Sequence, residues 1–323
     1  MQTTRLFAAV ILVLAAIPGI GTAHAQTSAQ SYPSKSVRIV TTSPGGGSDF
    51  AARIVAQGLS SAFAQAVIVD NRAGGFTAVE TVANAQRDGY TLLLYANTMW
   101  IAPFLQKVSY DPIKDFAPVT LAGFSASVLA AHPGVPASSV KELIALAKAR
   151  PATLAYGTGP SGSIDHLAGE HLKALTGIDL LHIPYKGGGP AVIAAIGGQV
   201  QLVFASTASI APQVKAGKLK ALAVASAQPT AMFPGLPTMA ATLPGFEAGT
   251  LYGVFAPAYT PAAIINIVNR EIVRILTSKD VMEKFVNNGT EVIANTPTQF
   301  AAIITSDTAK WGKVIRDAGI KGE

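Results

Sequence analysis

The spacing of apolar residues switches repeatedly between two patterns along this chain. Short runs rich in β-branched residues, such as Val-Arg-Ile-Val at residues 37–40, predict strands. Each run precedes a stretch with helical spacing; in residues 49–63, for example, Phe50, Ile54 and Leu59 share one apolar face. Strands that alternate with helices are typical of βαβ units, so the pattern predicts an α/β fold with mostly parallel sheets flanked by helices.

The predicted elements run through the whole chain. Strands are predicted at residues 37–40, 66–69, 91–95, 154–156, 180–184, 200–205, 219–225 and 252–256, and residues 116–131 form one or two more. Helices are predicted at residues 49–63, 77–85, 140–149, 191–196, 261–276, 279–287 and 297–318, and from the loop at 157–162 to residue 175. With 323 residues we expect two domains, residues 33–132 plus 251–323 and residues 133–250.

The first 25 residues have the pattern of a secretory signal peptide. Arg5 precedes an unbroken apolar stretch of 12 residues, and Ala23-His24-Ala25 forms a cleavage site before Gln26. Twelve residues are too few to cross ~30 Å of hydrocarbon, so a membrane anchor is disfavoured. We therefore expect cleavage after Ala25 and export of a soluble protein to the periplasm.

Composition excludes several kinds of function. Half of the residues are hydrophobic and 13% are charged, which is typical of a chain with a large core. Cysteine is absent, and the five histidines lack metal-site spacing, so neither a metal site nor a cofactor is expected. The net charge is +6, but the basic residues are scattered singly, which disfavours nucleic acid as a partner.

Two glycine-rich turns carry the candidate chemistry. Residues 44–49 read Pro-Gly-Gly-Gly-Ser-Asp and residues 160–165 read Pro-Ser-Gly-Ser-Ile-Asp; each follows a predicted strand and opens a predicted helix. Glycines let several backbone N–H groups converge, and a helix start adds partial positive charge. The simplest alternative is a pair of ordinary tight turns. Because one such turn lies in each predicted domain, we favour an interdomain cleft that holds an anion from two sides.

Two enzymatic interpretations of the second turn are weaker. Residues 157–162 match G-x-G-x-x-G, but Pro160 stiffens the turn and no acid ends the next predicted strand, which disfavours a dinucleotide site. An exported serine hydrolase with Ser161 or Ser163 as nucleophile remains an alternative, although the G-x-S-x-G elbow is absent. The expected protein is therefore not an enzyme.

Ordered matches along nearly the whole mature chain resemble a known family. They include Pro44-Gly45-Gly46 with Asp49, Val69-Asp70-Asn71-Arg72, Asp88-Gly89-Tyr90, Tyr156-Gly157-Thr158, His166-Leu167-Ala168-Gly169-Glu170, Pro184-Tyr185-Lys186-Gly187 and Gly197-Gly198-Gln199-Val200. The sequence is similar to the solute-binding proteins of tripartite tricarboxylate transporters, often called Bug proteins.

This resemblance implies a two-domain periplasmic-binding-protein fold (type II-like) that closes on a small carboxylate and delivers it, as a monomer, to membrane permease subunits. A receptor that reports the same carboxylate to a signalling system is a further alternative. The candidate ligand-binding residues are Thr42, Ser43, Gly45, Gly46, Ser48, Asp49, Thr98, Gly157, Thr158, Gly159, Ser161, Gly162, Ser163 and Ala205.

Some positions depart from the family pattern. Thr42 replaces a common aromatic residue, and Ala205 replaces a common aspartate. Loss of that aspartate disfavours an amino group on the ligand, so a purely anionic or partly apolar carboxylate is expected. Lys186 is the nearest candidate cation, with a structural or steering role favoured over direct contact.

Overall fold

The structure is a computed structural model that describes residues 32–320, and its main compact unit is Pro33–Glu323. The predicted signal peptide in residues 1–25 lies outside the described residues. The strands are β1 (Val37–Thr41), β2 (Val67–Asn71), β3 (Thr91–Ala96), β4 (Phe116–Ala131), β5 (Ala155–Thr158), β6 (Leu181–Pro184), β7 (Leu202–Ser206), β8 (Lys220–Val224), β9 (Gly249–Pro257) and β10 (Glu291–Val292).

Helices connect most of these strands, as the apolar spacing predicts. They are α1 (Gly47–Phe63), α2 (Thr77–Ala83), α3 (Thr98–Ile101), α4 (Val140–Ala149), α5 (Ile164–Thr176), α6 (Gly188–Ile196), α7 (Thr207–Lys215), α8 (Ala262–Leu276), α9 (Lys279–Asn287) and α10 (Pro297–Asp317). Short 3₁₀ turns form at Ala102–Phe104 and Met239–Ala241. The predicted helices and strands are confirmed, whereas α3, α7 and β10 were not predicted. None of the helices described here is long and apolar enough to span a membrane.

The strands form one mixed sheet in the order β2-β1-β3-β9-β4-β7-β5-β6, with β8 and β10 also paired to β4. The outer pairs β1–β2, β1–β3, β5–β6 and β5–β7 are parallel, as expected. The central pairs made by β4 and β9 are antiparallel, so the expectation of mostly parallel sheets is wrong there. Because β9 is antiparallel to both β3 and β4, β4 runs in the same direction as β1, β2 and β3. Strands β5, β6 and β7 run in the opposite direction to β4.

Strand β4 belongs to both ends of this sheet. Its first part pairs with β9 over residues 116–126, and its last part pairs with β7 and β8 over residues 127–131. The division into two domains stays a prediction. The pairing nevertheless shows that β4 forms hydrogen bonds with strands of both predicted domains.

Aromatic side chains fill the core next to α3. Trp100 is 1% exposed and packs edge-on against Phe255 and Phe300, with ring centroids 6.0 and 6.2 Å away. Its indole Nε1 donates a hydrogen bond of 3.0 Å to the buried carboxylate of Asp307, which also pairs with Lys310 at 3.0 Å. This anchor fixes α3, and with it Thr98, at the carboxyl end of β3.

Candidate functional site

The candidate residues cluster where parallel strands end. β1 and β3 run parallel and lead into residues 42–46 and into Thr98. At the other end of the sheet β5, β6 and β7 also share one direction, so the starts of α5, α6 and α7 lie along one edge. The carboxyl edge of a parallel sheet is where ligands bind in α/β proteins.

The first glycine turn leaves the start of α1 open. Gly45 and Gly46 are exposed, and Gly46, the N-cap residue, provides no side-chain cap. The N–H groups in the first turn of a helix have no acceptor within the helix, so this turn presents free donors together with the positive end of the helix dipole. Gly45 has φ +87°, a backbone conformation that residues other than glycine rarely adopt.

Hydrogen bonds to the Asp49 carboxylate stabilise the conformation of the first glycine turn. Its carboxylate accepts hydrogen bonds from Gly45 N (2.9 Å), Arg53 Nε (3.0 Å) and Asn71 Nδ2 (2.7 Å). Burial opposes ionisation, but these three donors outweigh it and lower the pKa of Asp49. Asp49 and Arg53, four residues apart on α1, thus form an ion pair. Asn71 also donates to the carbonyl of Thr42 at 2.7 Å, so Asp49 acts on the turn rather than facing outward.

The remaining candidates of the first turn differ in exposure. Ser43 is exposed, Thr42 is partly exposed, and Ser48 is only 5% exposed. Ser43 and Thr42 can therefore reach a ligand directly, whereas the Ser48 side chain faces the protein interior.

The second glycine turn is tied down more tightly than its sequence indicates. Ser163 is the N-cap of α5, and its hydroxyl accepts from the backbone N–H of His166 at 3.3 Å. Thr158 is fully buried, and its hydroxyl bonds with the Gly159 carbonyl at 2.9 Å and with His182 Nε2 at 2.7 Å. Both bonds of the Thr158 hydroxyl are internal in this conformation, and its contact with a ligand stays a prediction.

One cavity brings candidates from both sides of the sheet together. It has a volume of about 320 Å³ and is lined by Thr98 from α3 and by residues 160–163, with apolar walls that include Phe76 and Leu105. Ser161, Gly162 and Ser163 thus share a space with Thr98, as a common binding site requires. Residues 42–49 do not line this cavity.

Gly159 and Ala205 lie against a third glycine-rich turn that was not predicted as part of the site, and Gly157 lies against Tyr185 and Ala191, which flank that turn. A Cβ on Gly159 would lie 3.7 Å from Gly188 N, and one on Gly188 would lie 4.0 Å from the Ala205 Cβ. Gly187, the N-cap of α6, provides no side-chain cap. The signal was present in the sequence, because Gly187-Gly188-Gly189-Pro190 repeats the strand, glycine and helix order of the two predicted turns.

The sequence analysis did not include Tyr252 and Asp165 among the candidate site residues. In the structure they lie between the first and the second glycine turn. A Cβ on Gly47 would lie 2.5 Å from Tyr252 Cζ, so this tyrosine of β9 presses against the start of α1. Burial raises the pKa of Tyr252 to about 12, and the nearby Asp165 carboxylate adds to the rise. Asp165 accepts a 2.6 Å hydrogen bond from the Ser127 hydroxyl of β4, and burial raises its pKa to about 6. The starts of α1 and α5 therefore approach the same tyrosine.

Neither glycine turn contains a cationic side chain of its own. Residues 42–49 and 157–163 contain no lysine or arginine, and Lys186 is exposed. Within residues 32–320 no group of three or more acidic or histidine side chains has a metal-binding arrangement. The arrangement can thus hold an anion through N–H groups and hydroxyls.

Comparison with known proteins identifies the family. Residues 51–320 match the family model described as tripartite tricarboxylate transporter family receptor. The chain is 36% identical to protein BugT of Bordetella pertussis, over 99% of both chains. Among solved structures, R. palustris Rpa4515 with adipate is 32% identical with a TM-score of 0.78, covering 90% of this chain and all of that one.

MatC from Rhodopseudomonas palustris, solved with bound malate, is 28% identical with a TM-score of 0.73, covering 88% of this chain and all of that one. The family-model match includes the second glycine turn, and the likeness to BugT extends over 99% of this chain. The chain belongs to the tripartite tricarboxylate transporter family of receptors.

Proposed function

We propose that this protein is a periplasmic receptor that captures a small organic carboxylate between its glycine turns and delivers it to the permease subunits of a tripartite transporter. The open start of α1 carries the proposal, because its exposed turn offers N–H donors that no side chain caps. Adipate and malate in the related structures support a carboxylate as the ligand class. The predicted signal peptide supports export.

The proposed contacts follow from the geometry described above. On one side, the N–H groups of residues 46–48 and the Ser43 hydroxyl face the ligand. On the other side, the contacts come from Ser161, Ser163 and Thr98 around the shared cavity. Hydrogen bonds to a charged acceptor contribute about 1.5–3 kcal/mol each, so a few of them suffice for specific binding without an ion pair.

A capping variant tests the role of α1. Gly46 has an extended conformation (φ −87°, ψ 171°), and the nearest atom to a Cβ there is 4.0 Å away, so Gly46→Asp fits and its carboxylate caps the helix. We expect the fold to be kept or stabilised while carboxylate binding is lost, because the new side chain occupies the anion site. Gly46→Ala is the matched control, which adds a Cβ without a charge and should still bind.

The measurement is a thermal-shift screen against mono-, di- and tricarboxylates, beginning with adipate and malate. A ligand at 100 times its Kd should stabilise the protein by about 2.7 kcal/mol. Equal shifts in Gly46→Asp and Gly46→Ala would contradict a site at the start of α1. Consumption of the ligand during the screen would favour the hydrolase alternative instead.

A further inference from the structure

Two imidazole rings lie stacked beneath the second glycine turn. His166 from α5 and His182 from β6 have ring centroids 3.9 Å apart and planes inclined by 13°. His166 is 7% exposed, and His182 is partly buried with the centroid of the Tyr156 ring 5.0 Å away. The two stacked rings therefore pack together against residues 157–163.

Each ring is bonded to a different end of the turn. His166 Nδ1 accepts a 2.9 Å hydrogen bond from Gly162 N, which places its proton on Nε2. The Thr158 hydroxyl donates to the Gly159 carbonyl, and its single proton is then used. We therefore assign the donor role to His182 Nε2, which lies 2.7 Å from that hydroxyl. Both contacts are satisfied by uncharged imidazoles.

The surroundings favour the uncharged form. Burial lowers the pKa of His166, and burial together with the stacked partner lowers the pKa of His182 to about 4. The charged groups nearby are Glu170 and Lys173 of α5, which pair at 2.9 Å, and Glu170 also accepts from the Tyr156 hydroxyl at 2.6 Å. Asp165 precedes His166 on the helix, with its carboxyl bonded to Ser127.

We propose that His166 and His182 are positioning residues that hold residues 157–163 in the anion-binding conformation as neutral groups, and that neither ring serves as a cation for the ligand. This inference rests on the proposed function. The Gly162 N–H donates to His166 Nδ1, so it is not available to donate a hydrogen bond to the ligand. Gly162 has φ +79°, a conformation that this hydrogen bond helps to fix.

Paired substitutions at His166 separate the two possible roles. Asn places an amide oxygen where His166 Nδ1 lies and cannot become a cation near neutral pH, whereas Phe keeps the stacked ring but has no acceptor. With adipate as the probe, we expect His166→Asn to bind within about twofold of the parent protein. We expect His166→Phe to bind about tenfold more weakly, because the partly buried Gly162 N–H loses its partner.

The pH profile tests whether a protonated His166 contacts the carboxylate directly. We expect the ratio of the adipate Kd values of the parent and His166→Asn to stay constant between pH 8 and 5.5. The ratio cancels the titration of the ligand and of Asp165, which both proteins share. If an imidazolium held the carboxylate, the parent would gain affinity over His166→Asn steadily as the pH fell, and the proposal would be overturned.

His182→Gln and His182→Phe form a second pair. Gln keeps an N–H at the position of Nε2, so it should bind adipate like the parent, whereas Phe should weaken binding. Equal binding by all four variants would show that the rings do not position the turn.

A ligand-free measurement keeps the result independent of the proposed function. Amide hydrogen exchange at Gly162 should be slow in the parent and in His166→Asn and clearly faster in His166→Phe. If no carboxylate binds the parent, the proposed function fails, but the exchange rates still decide whether His166 fixes the turn. Unchanged exchange in His166→Phe would contradict the inference.

Discussion

Asp165 lies at the start of α5, but its carboxyl points to Ser127 of β4 rather than to its own helix backbone. Burial raises its pKa from 3.8 to about 6, so the folded protein binds more protons than the unfolded chain between these values. The stability that comes from the protonated form is fully present below the unfolded pKa and is lost as the pH rises through the folded pKa. Near neutral pH the ionised carboxylate therefore destabilises the fold.

Asp165→Asn should consequently stabilise the protein at pH 8 but not at pH 4. One pKa unit corresponds to ~1.4 kcal/mol, and the carboxyl keeps some solvent contact, so we expect a gain of about 1–2 kcal/mol at pH 8 relative to pH 4. Urea unfolding of both proteins at the two pH values measures the difference.

Asp280→Asn is a control in which the change of stability with pH should have the opposite sign. Hydrogen bonds from Ser278 and Lys284 lower the pKa of this exposed carboxyl, so its stabilising contribution is lost as the pH falls. A pH-independent effect of Asp165→Asn would show that the fold does not raise the pKa of this carboxyl.

The residue scale is also where sequence reasoning reached its limit. The spacing of glycine, serine and proline located both turns, because those residues favour turns through their own backbone chemistry. It could not show that Thr158 bonds inward to His182 or that Asp165 bonds to Ser127, because each partner lies on another element. Gly187 and Gly188 could have been included from their pattern alone.

Helix α1 begins against the Tyr252 ring, and this contact sets where its open turn lies. A Cβ on Gly47 would overlap the Tyr252 hydroxyl and lie 2.5 Å from the ring carbon Cζ. Gly47→Ala should therefore displace either the ring or the helix start and cost about 1–3 kcal/mol, as overpacking does.

Removing the ring should relieve that strain. We expect the combined change Gly47→Ala with Tyr252→Ala to cost less than the sum of the single changes, with an interaction of at least about 1 kcal/mol in a double-mutant cycle. Denaturant unfolding of the four proteins measures it, and additive effects would mean that the helix start adapts without strain.

At the scale of elements, the hydrophobic pattern predicted most of the fold. The α7 helix was missed because Pro212 lies inside it and Thr207 and Ser209 are poor helix formers, so only packing against β4, β7 and β8 makes it helical. The antiparallel centre was missed because apolar runs do not encode direction. In β4 most residues are buried, so alternation could not mark how the strand pairs.

One core cluster extends across the residues of both predicted domains. It contains Trp100 and Trp311 together with Leu143 and Tyr156. We therefore expect urea unfolding to occur in one transition, with tryptophan fluorescence and far-ultraviolet circular dichroism changing together. Since the sequence has two tryptophans and both lie in this cluster, fluorescence reports on the shared core. Two separated transitions would instead support independently folding domains.

The double membership of β4 determines how this protein could be dissected. A fragment of residues 133–250 would contain β7 and β8 but not residues 127–131, the segment of β4 that lies between them. Both strands would then expose unpaired edges, which are templates for aggregation. A fragment that folds on its own would therefore need residues 127–131 of β4 added to residues 133–250. A gene fusion or domain exchange must accordingly divide the chain within β4 rather than in the loop after it.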